Sequence, residues 1–111
     1  MPKQENEAGT ETAGKVDRII HEPARFATLA ILNSVESADF LYLMNQIGLT
    51  WGNLSSHLTK LEVAGYITIE KGFLGKKPHT TLKITKQGQA AFAEYRRNMQ
   101  SLLDSMTDKT A

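Results

Sequence analysis

The apolar positions of this chain repeat first at helical spacing and then at strand spacing. Pro23 suits a first helical turn, where its missing N–H costs nothing. From there Phe26, Leu29, Ala30 and Asn33 share a face, with Ile31, Leu32 and Val35 nearby. The pattern predicts a helix over about 23–34, after a shorter helical turn around Val16–Ile20. Ser37 and Asp39 offer N-cap oxygens for a second helix. That helix carries Phe40, Leu43, Met44 and Ile47 at spacings of three and four, and Gly48 ends it. Only Leu49 separates Gly48 from Thr50, the next candidate cap, and Trp51 to Ala64 reads as a third helix closed by Gly65. Helices joined this closely must turn sharply against each other, which is the helix-turn-helix arrangement.

After Gly65 the period changes from about 3.6 to about 2. Ile67 and Ile69 alternate with polar residues in Tyr66–Lys71, and Leu82 and Ile84 do so in Thr80–Thr85, with β-branched residues dominating both runs. Between them the segment from Gly72 to His79 holds two glycines and a proline, which predicts a hairpin with a long loop. Thr85 then caps a last helix from Lys86 to about Ser105, striped by Phe92, Tyr95, Met99, Leu102 and Met106. A helix of that length spans about 30 Å, more than a small core needs.

A chain of 111 residues makes one domain with a modest core and little room for a deep catalytic cleft. It is 41% hydrophobic and 23% charged, ordinary values for a globular chain. Residues 1–13 lack a periodic apolar face and read as a disordered tail, and 107–111 read as frayed, leaving 14–106 as the folded domain. The absence of cysteine excludes disulfides, Cys-ligated zinc, iron–sulfur clusters and thiol catalysis. No apolar run is long enough to span a bilayer and the first residues lack the apolar core of a signal peptide, so a cytoplasmic protein is expected. The net charge of +1 argues mildly against a nucleic-acid partner until it is divided along the chain. Residues 50–86 hold six lysines against Glu62 and Glu70, a net of +4, and the remainder of the chain is net negative.

That basic segment contains the most suggestive surface. At about 100° per residue, Leu54, Leu58 and Leu61 cluster on one side of the third helix, with Ser56, Thr59 and Lys60 opposite and Asn53 and Ser55 flanking them. Short hydrogen-bonding side chains beside a cation are what a helix needs to approach base edges and phosphates in a major groove, although a merely solvated face looks similar. A sharply joined helix pair followed by a basic hairpin is the winged helix-turn-helix plan. Lys71, Lys76 and Lys77 surround the hairpin loop and suit phosphates or a minor groove.

The run from Ile47 to Thr85, above all LT-x-GNLSSHL-x-KLE-x-AGYI and KGF-x-GKKP-x-TT, resembles the small winged helix-turn-helix DNA-binding regulators of bacteria and archaea. The likeness is to the MarR-like group and more distantly to the ArsR-like group, and it covers about residues 16–100. It implies an α+β, mostly α fold with a three-helix core, a two-stranded wing and a long C-terminal dimerisation helix. It also implies a homodimeric transcriptional regulator that binds double-stranded DNA, needs no cofactor and is not an enzyme. Carried over by position, recognition falls on Asn53, Ser55, Ser56, Thr59 and Lys60, with Thr50 at the helix start and His57 flanking the face in a DNA-contacting or packing role, and wing contacts fall on Lys71, Lys76 and Lys77, with His79 either touching DNA or simply solvated. A homodimer seam is expected along Phe92, Tyr95, Met99, Leu102, Leu103 and Met106, the alternative being packing of this stripe on the first helix. ArsR-type metal sensing is not expected, since His21, His57 and His79 show no ligand-pair spacing.

Phe26, Tyr42, Trp51, Phe92 and Tyr95 read as core, with an effector cavity as the other possibility. A protein-interaction module using the same fold without DNA is the competing function. No nucleophile–base pair or paired carboxylates can be assembled, and Gly72-x-x-Gly75-Lys76-Lys77 lacks the spacing of a phosphate loop.

Overall fold

Short-range capping fixes where each helix begins in the structure, a computed structural model that describes residues 16–107. The expected tail 1–13 and the residues after Thr107 lie outside the described residues. Asp17 Oδ1 accepts the backbone N–H groups of Ile19 (2.8 Å) and Ile20 (3.2 Å), closing the turn before the first helix. Helix α1 spans Pro23–Leu32, with Pro23 in its first turn and Glu22 as the cap whose Oε1 accepts Arg25 N–H at 2.8 Å. Asp39 caps α2 (Phe40–Ile47), which Gly48 ends in the left-handed conformation at φ 79°. Thr50 Oγ1 accepts Asn53 N–H at 3.2 Å and opens α3 (Trp51–Val63). Thr85 Oγ1 accepts Gly88 N–H at 2.9 Å at the start of α4 (Lys86–Thr107).

The expected two-stranded wing is present and belongs to a three-stranded sheet. A short strand β1 (Ala38–Asp39), absent from the sequence reading, pairs antiparallel with β3, giving the order β1-β3-β2. Strands β2 (Ile67–Leu74) and β3 (Lys77–Ile84) run to a turn of only two residues, Gly75 and Lys76, where a long loop was expected. Gly75 at φ 67° supplies the positive φ that the first central position of a type II′ hairpin turn requires. Pro78 does not break the ladder. Pairs alternate from the hydrogen-bonded Leu74–Lys77 pair beside the turn, so Phe73–Pro78 is a pair that exchanges no bonds. On its other side β3 meets β1 only at Thr81 and Leu82, so the missing N–H of Pro78 leaves no partner unsatisfied.

The core lies where α1, α2 and α3 meet the base of the sheet. Ile20, Leu29, Leu32, Leu43, Leu54, Leu58, Leu61 and Leu82 are essentially inaccessible, and each such aliphatic side chain contributes about 1.5–3 kcal/mol by leaving water. Ile67, Phe92 and Tyr95 complete it. Of the five aromatics expected in the core, Phe26, Tyr42 and Trp51 are instead exposed. Phe26 leans over the rings of Phe92 and Tyr95 at 5.5 and 5.7 Å, and Trp51 lies across Phe40 at 4.2 Å. These rings cover the core from outside because small residues and leucines already fill the inward helix positions.

Candidate nucleic-acid interface

Three leucines orient α3. Leu54, Leu58 and Leu61 are fully buried, so the opposite side of the helix faces solvent. That side presents Asn53, Ser56, Thr59 and Lys60, all exposed, with Thr50 exposed at the helix start. Ser55 is half-buried, and its carbonyl accepts the Thr59 hydroxyl at 3.0 Å. The Thr59 methyl and oxygen lone pairs therefore face outward while its proton is held by the helix.

His57 departs from this stripe. It is half-buried and turned toward the start of α1, where its Nδ1 lies 3.0 Å from Arg25 Nη1 and 3.7 Å from Glu22 Oε1. A guanidinium can only donate, so Nδ1 accepts from Arg25 and the ring proton sits on Nε2. Arg25 Nε is bound in turn to the Ile19 carbonyl. The imidazole thus ties α3 to α1 rather than standing beside Ser56. Nothing in the helical spacing of His57 distinguishes these two directions, and the signal was Arg25 one helix earlier.

On the wing, Lys71, Lys76 and Lys77 are exposed and His79 is half-buried. Among the described residues none of these lysines, nor Lys60, is held in an ion pair. The register puts Lys77, His79 and Lys83 on one face of the hairpin, and Lys71 on the face that continues from Ile67 and Ile69. Charge therefore lines both sides of the wing. Two residues beside the turn that the sequence reading passed over, Phe73 and Leu74, are 73% and 69% exposed.

The wing root is fixed to the start of α4 and to the turn before α1. Thr85 N–H donates to the Tyr66 carbonyl (2.9 Å), and its hydroxyl donates to the Gly65 carbonyl (2.6 Å). Tyr66 Oη donates to Asp17 Oδ2. Burial first, and the hydrogen bond to Asp17 second, push the Tyr66 hydroxyl up to about 12. Burial also raises Tyr95, whose hydroxyl lies 2.8 Å from His21 Nδ1.

Helix α4 divides into two parts. Phe92 and Tyr95, expected in a dimer seam, are spent in the monomer core because α4 crosses α1 at that level. Met99 and Leu102 are half-buried, and Leu103 and Met106 are 52% and 60% exposed. An open groove of about 580 Å³ runs beside this half, lined by Phe26, Tyr95, Met99 and Leu103 with Arg96 and Arg97 at its edge. Among the described residues no cluster of His, Asp and Glu could hold a metal ion, and no helix is long and apolar enough to cross a membrane.

The family of the winged helix DNA-binding domain matches residues 24–103. The chain belongs to that family. Uncharacterized protein MJ0432 of Methanocaldococcus jannaschii is 37% identical over 78 residues, covering 70% of this chain and 85% of the relative. A transcriptional regulator homologue protein from Pyrococcus horikoshii shares the winged-helix fold with a TM-score of 0.80 at 24% identity, covering 86% of this chain and 97% of that one. The transcriptional repressor CouR, solved bound to a 23-mer DNA duplex, superposes with a TM-score of 0.70 at 18% identity, covering 91% of this chain and 68% of CouR. The winged-helix resemblance read from the sequence holds at the level of the family, and a MarR-family transcriptional regulator from Silicibacter pomeroyi shares the fold. In a winged helix of this order, α3 is the second helix of the helix-turn-helix and β2–β3 is the wing.

Proposed function

We propose that this protein is a sequence-specific regulator of transcription that binds double-stranded DNA as a homodimer in the cytoplasm. The observation that carries the reading is the divided surface of α3. Its leucine side is fully buried, while Asn53, Ser56, Thr59 and Lys60 stand in solvent with no ion-pair partner among the described residues. In the major groove, Asn53, Ser56 and Thr59 read base edges, and Thr50, Ser55 and Lys60 meet the backbone. Lys71, Lys76, Lys77 and His79 supply wing contacts to flanking DNA. His57 holds α3 at its angle to α1 and does not read bases. CouR bound to a duplex supports the reading at the level of the fold.

Dimerisation rests on the second half of α4. Met99, Leu102, Leu103 and Met106 form a stripe that the described residues of one copy leave partly open, and a two-fold related copy would close it. The test is selection of bound duplexes from a random library with purified protein. A palindromic motif with half-sites about one helical turn, roughly 34–36 Å, apart is the expected result. Recovery of no enriched sequence at low salt would refute specific DNA binding and leave the interaction-module reading in its place.

A further inference from the structure

Most glycines among the described residues have a reason within the fold. Gly48, Gly65 and Gly75 take a positive φ, and Gly88 packs against the Tyr66 carbonyl. Gly52 and Gly72 have neither reason, since neither takes a positive φ and no atom lies within 4 Å of the place a Cβ would occupy. Gly72 continues a strand near the free end of the wing, whereas Gly52 is the second residue of a helix. Glycine is among the least favourable residues in a helix, and Thr50 already supplies the cap, so α3 itself gains nothing from it. At about 100° per residue, Gly52, Ser56 and Val63 lie within roughly 30° of the direction opposite the buried Leu54, Leu58 and Leu61. Asn53, Thr59 and Lys60 flank that line. All three residues on it are exposed, Val63 by 83%. The middle of the outward face therefore carries no side chain in its first turn, a hydroxymethyl group one turn later and an isopropyl group at its end.

We infer that Gly52 sets the depth of α3 in the major groove: its missing side chain lets the helix backbone close on the DNA until Asn53 and Ser56 reach base edges. The inference deepens the DNA-binding reading and rests on it. A helix with its side chains is about 10–12 Å across. The major groove is about 12 Å wide and 8.5 Å deep. The helix therefore fits with little slack, and the side chains at the centre of its outward face decide how far it descends. Base-edge hydrogen bonds need heavy atoms about 2.7–3.2 Å apart. Asn53 and Ser56 have short side chains and meet that distance only if the helix comes close. A methyl group at Gly52, beside both, would hold them off. The growth in size toward Val63 tilts the helix so that its first turn lies deepest. Val63, eleven residues and about 16.5 Å further along the axis, fills the wider gap with an apolar group suited to deoxyribose and thymine methyl groups. Gly52 is thus a positioning residue that acts through its neighbours.

The experiment uses the full chain, its Gly52→Ala and Gly52→Leu variants, a duplex retained from the random library and a duplex of scrambled sequence. Both replacements favour the helix and no atom lies near the added Cβ, so both variants should melt at or above the wild-type temperature. Gly52→Ala should bind the retained duplex about tenfold more weakly, the cost of one good base contact. Gly52→Leu should bind it more weakly still. Binding to the scrambled duplex and its salt slope should stay at the wild-type values, because the lysine contacts to phosphates are kept. Selection repeated with Gly52→Ala should return a motif weakened at the base pairs that Asn53 and Ser56 read. Wild-type affinity of both variants for the retained duplex would overturn the inference and leave DNA binding intact. A lowered melting temperature of Gly52→Ala would assign the glycine to the fold, against the inference. An equal loss on both duplexes would assign it to phosphate contact, again against the inference. Enrichment of no sequence by the wild type would overturn the DNA-binding reading and the inference with it.

Discussion

Gly88→Ala is expected to destabilise the protein, against the usual sign for glycine in a helix. Replacing a helical glycine with alanine ordinarily stabilises by about 0.5–1 kcal/mol through lost freedom in the unfolded chain. At Gly88 the added Cβ would lie 2.2 Å from the Tyr66 carbonyl oxygen, 2.9 Å from the Tyr66 carbonyl carbon and 2.9 Å from Ile84 Cγ1. Two of these are backbone atoms, and the same carbonyl accepts Thr85 N–H. The clash can be relieved only by lifting the first turn of α4 from the wing root and breaking that bond. Overpacking costs about 1–3 kcal/mol and a lost hydrogen bond about 1 kcal/mol more, which exceeds the propensity gain. The net is a loss of about 2 kcal/mol, or roughly 8–16 °C in Tm for a domain of this size.

Thermal unfolding followed by circular dichroism measures this, with Gly52→Ala as the internal control. Gly52 lies in α3 with nothing within 4 Å of its Cβ position, so alanine there should be neutral or stabilise by up to about 1 kcal/mol. A Gly88→Ala protein that melts at or above the wild-type temperature would refute the close approach of α4 to the wing root. A loss at both positions would point instead to a general intolerance of alanine.

Lys76→Ala with Lys77→Ala should weaken duplex binding almost uniformly across sequences and reduce the salt slope of a bound dimer by about 4, two lysines in each copy, whereas Ser56→Ala or Thr59→Ala should change which sequences are selected; binding isotherms at several salt concentrations separate the two. Leu103→Glu with Met106→Glu should convert the proposed dimer to monomer in sedimentation without lowering monomer helicity, since both side chains are exposed in one copy. His57→Ala should lower affinity without changing preference, because its contacts are to Arg25 and Glu22; a changed selected motif would show that it reads bases after all. The raised Tyr66 value makes stability pH-dependent at the alkaline end. The folded state keeps a proton that the unfolded chain releases near pH 10, so this contribution is complete below pH 10 and lost as pH rises toward about 12. Tyr66→Phe should reduce that slope in Tm measured against pH, leaving the part that the raised Tyr95 contributes, and an unchanged slope would assign it to another group.

The helices were legible because their signals are local. Asp39, Thr50 and Thr85 cap as their side chains predict, Gly48 stops α2, and the three leucines fix the inward side of α3. The wing was misjudged because Gly72, Gly75 and Pro78 look like loop residues when read singly. Pairing decides the matter: Gly75 alone takes a positive φ, Gly72 continues the strand, and Pro78 falls where no bond is exchanged. Strand β1 was invisible because two residues carry no period, and only contact with Leu82 and Thr81 makes them a strand. Direction of a side chain around a helix was legible for small residues, whereas His57 was left between a DNA-contacting and a packing role, because its orientation is set by Arg25 across the helix pair.

Net charge shows the same limit from another side. The total of +1 conceals a basic segment over 50–86, and dividing the chain recovers it. Division along the sequence still does not say which surfaces are basic. Lys60 closes α3, Lys71 and Lys77 fall on opposite faces of the hairpin, and Lys76 occupies its turn, an arrangement that follows from register alone. A slip of one residue in that register would exchange Lys77 for the face of Lys71 and bring Leu82 out of the core. The burial of Leu82 therefore fixes the two-sided charge of the wing as firmly as it fixes the sheet. The surface offered to DNA is in this sense a consequence of core packing at the other end of the same strand.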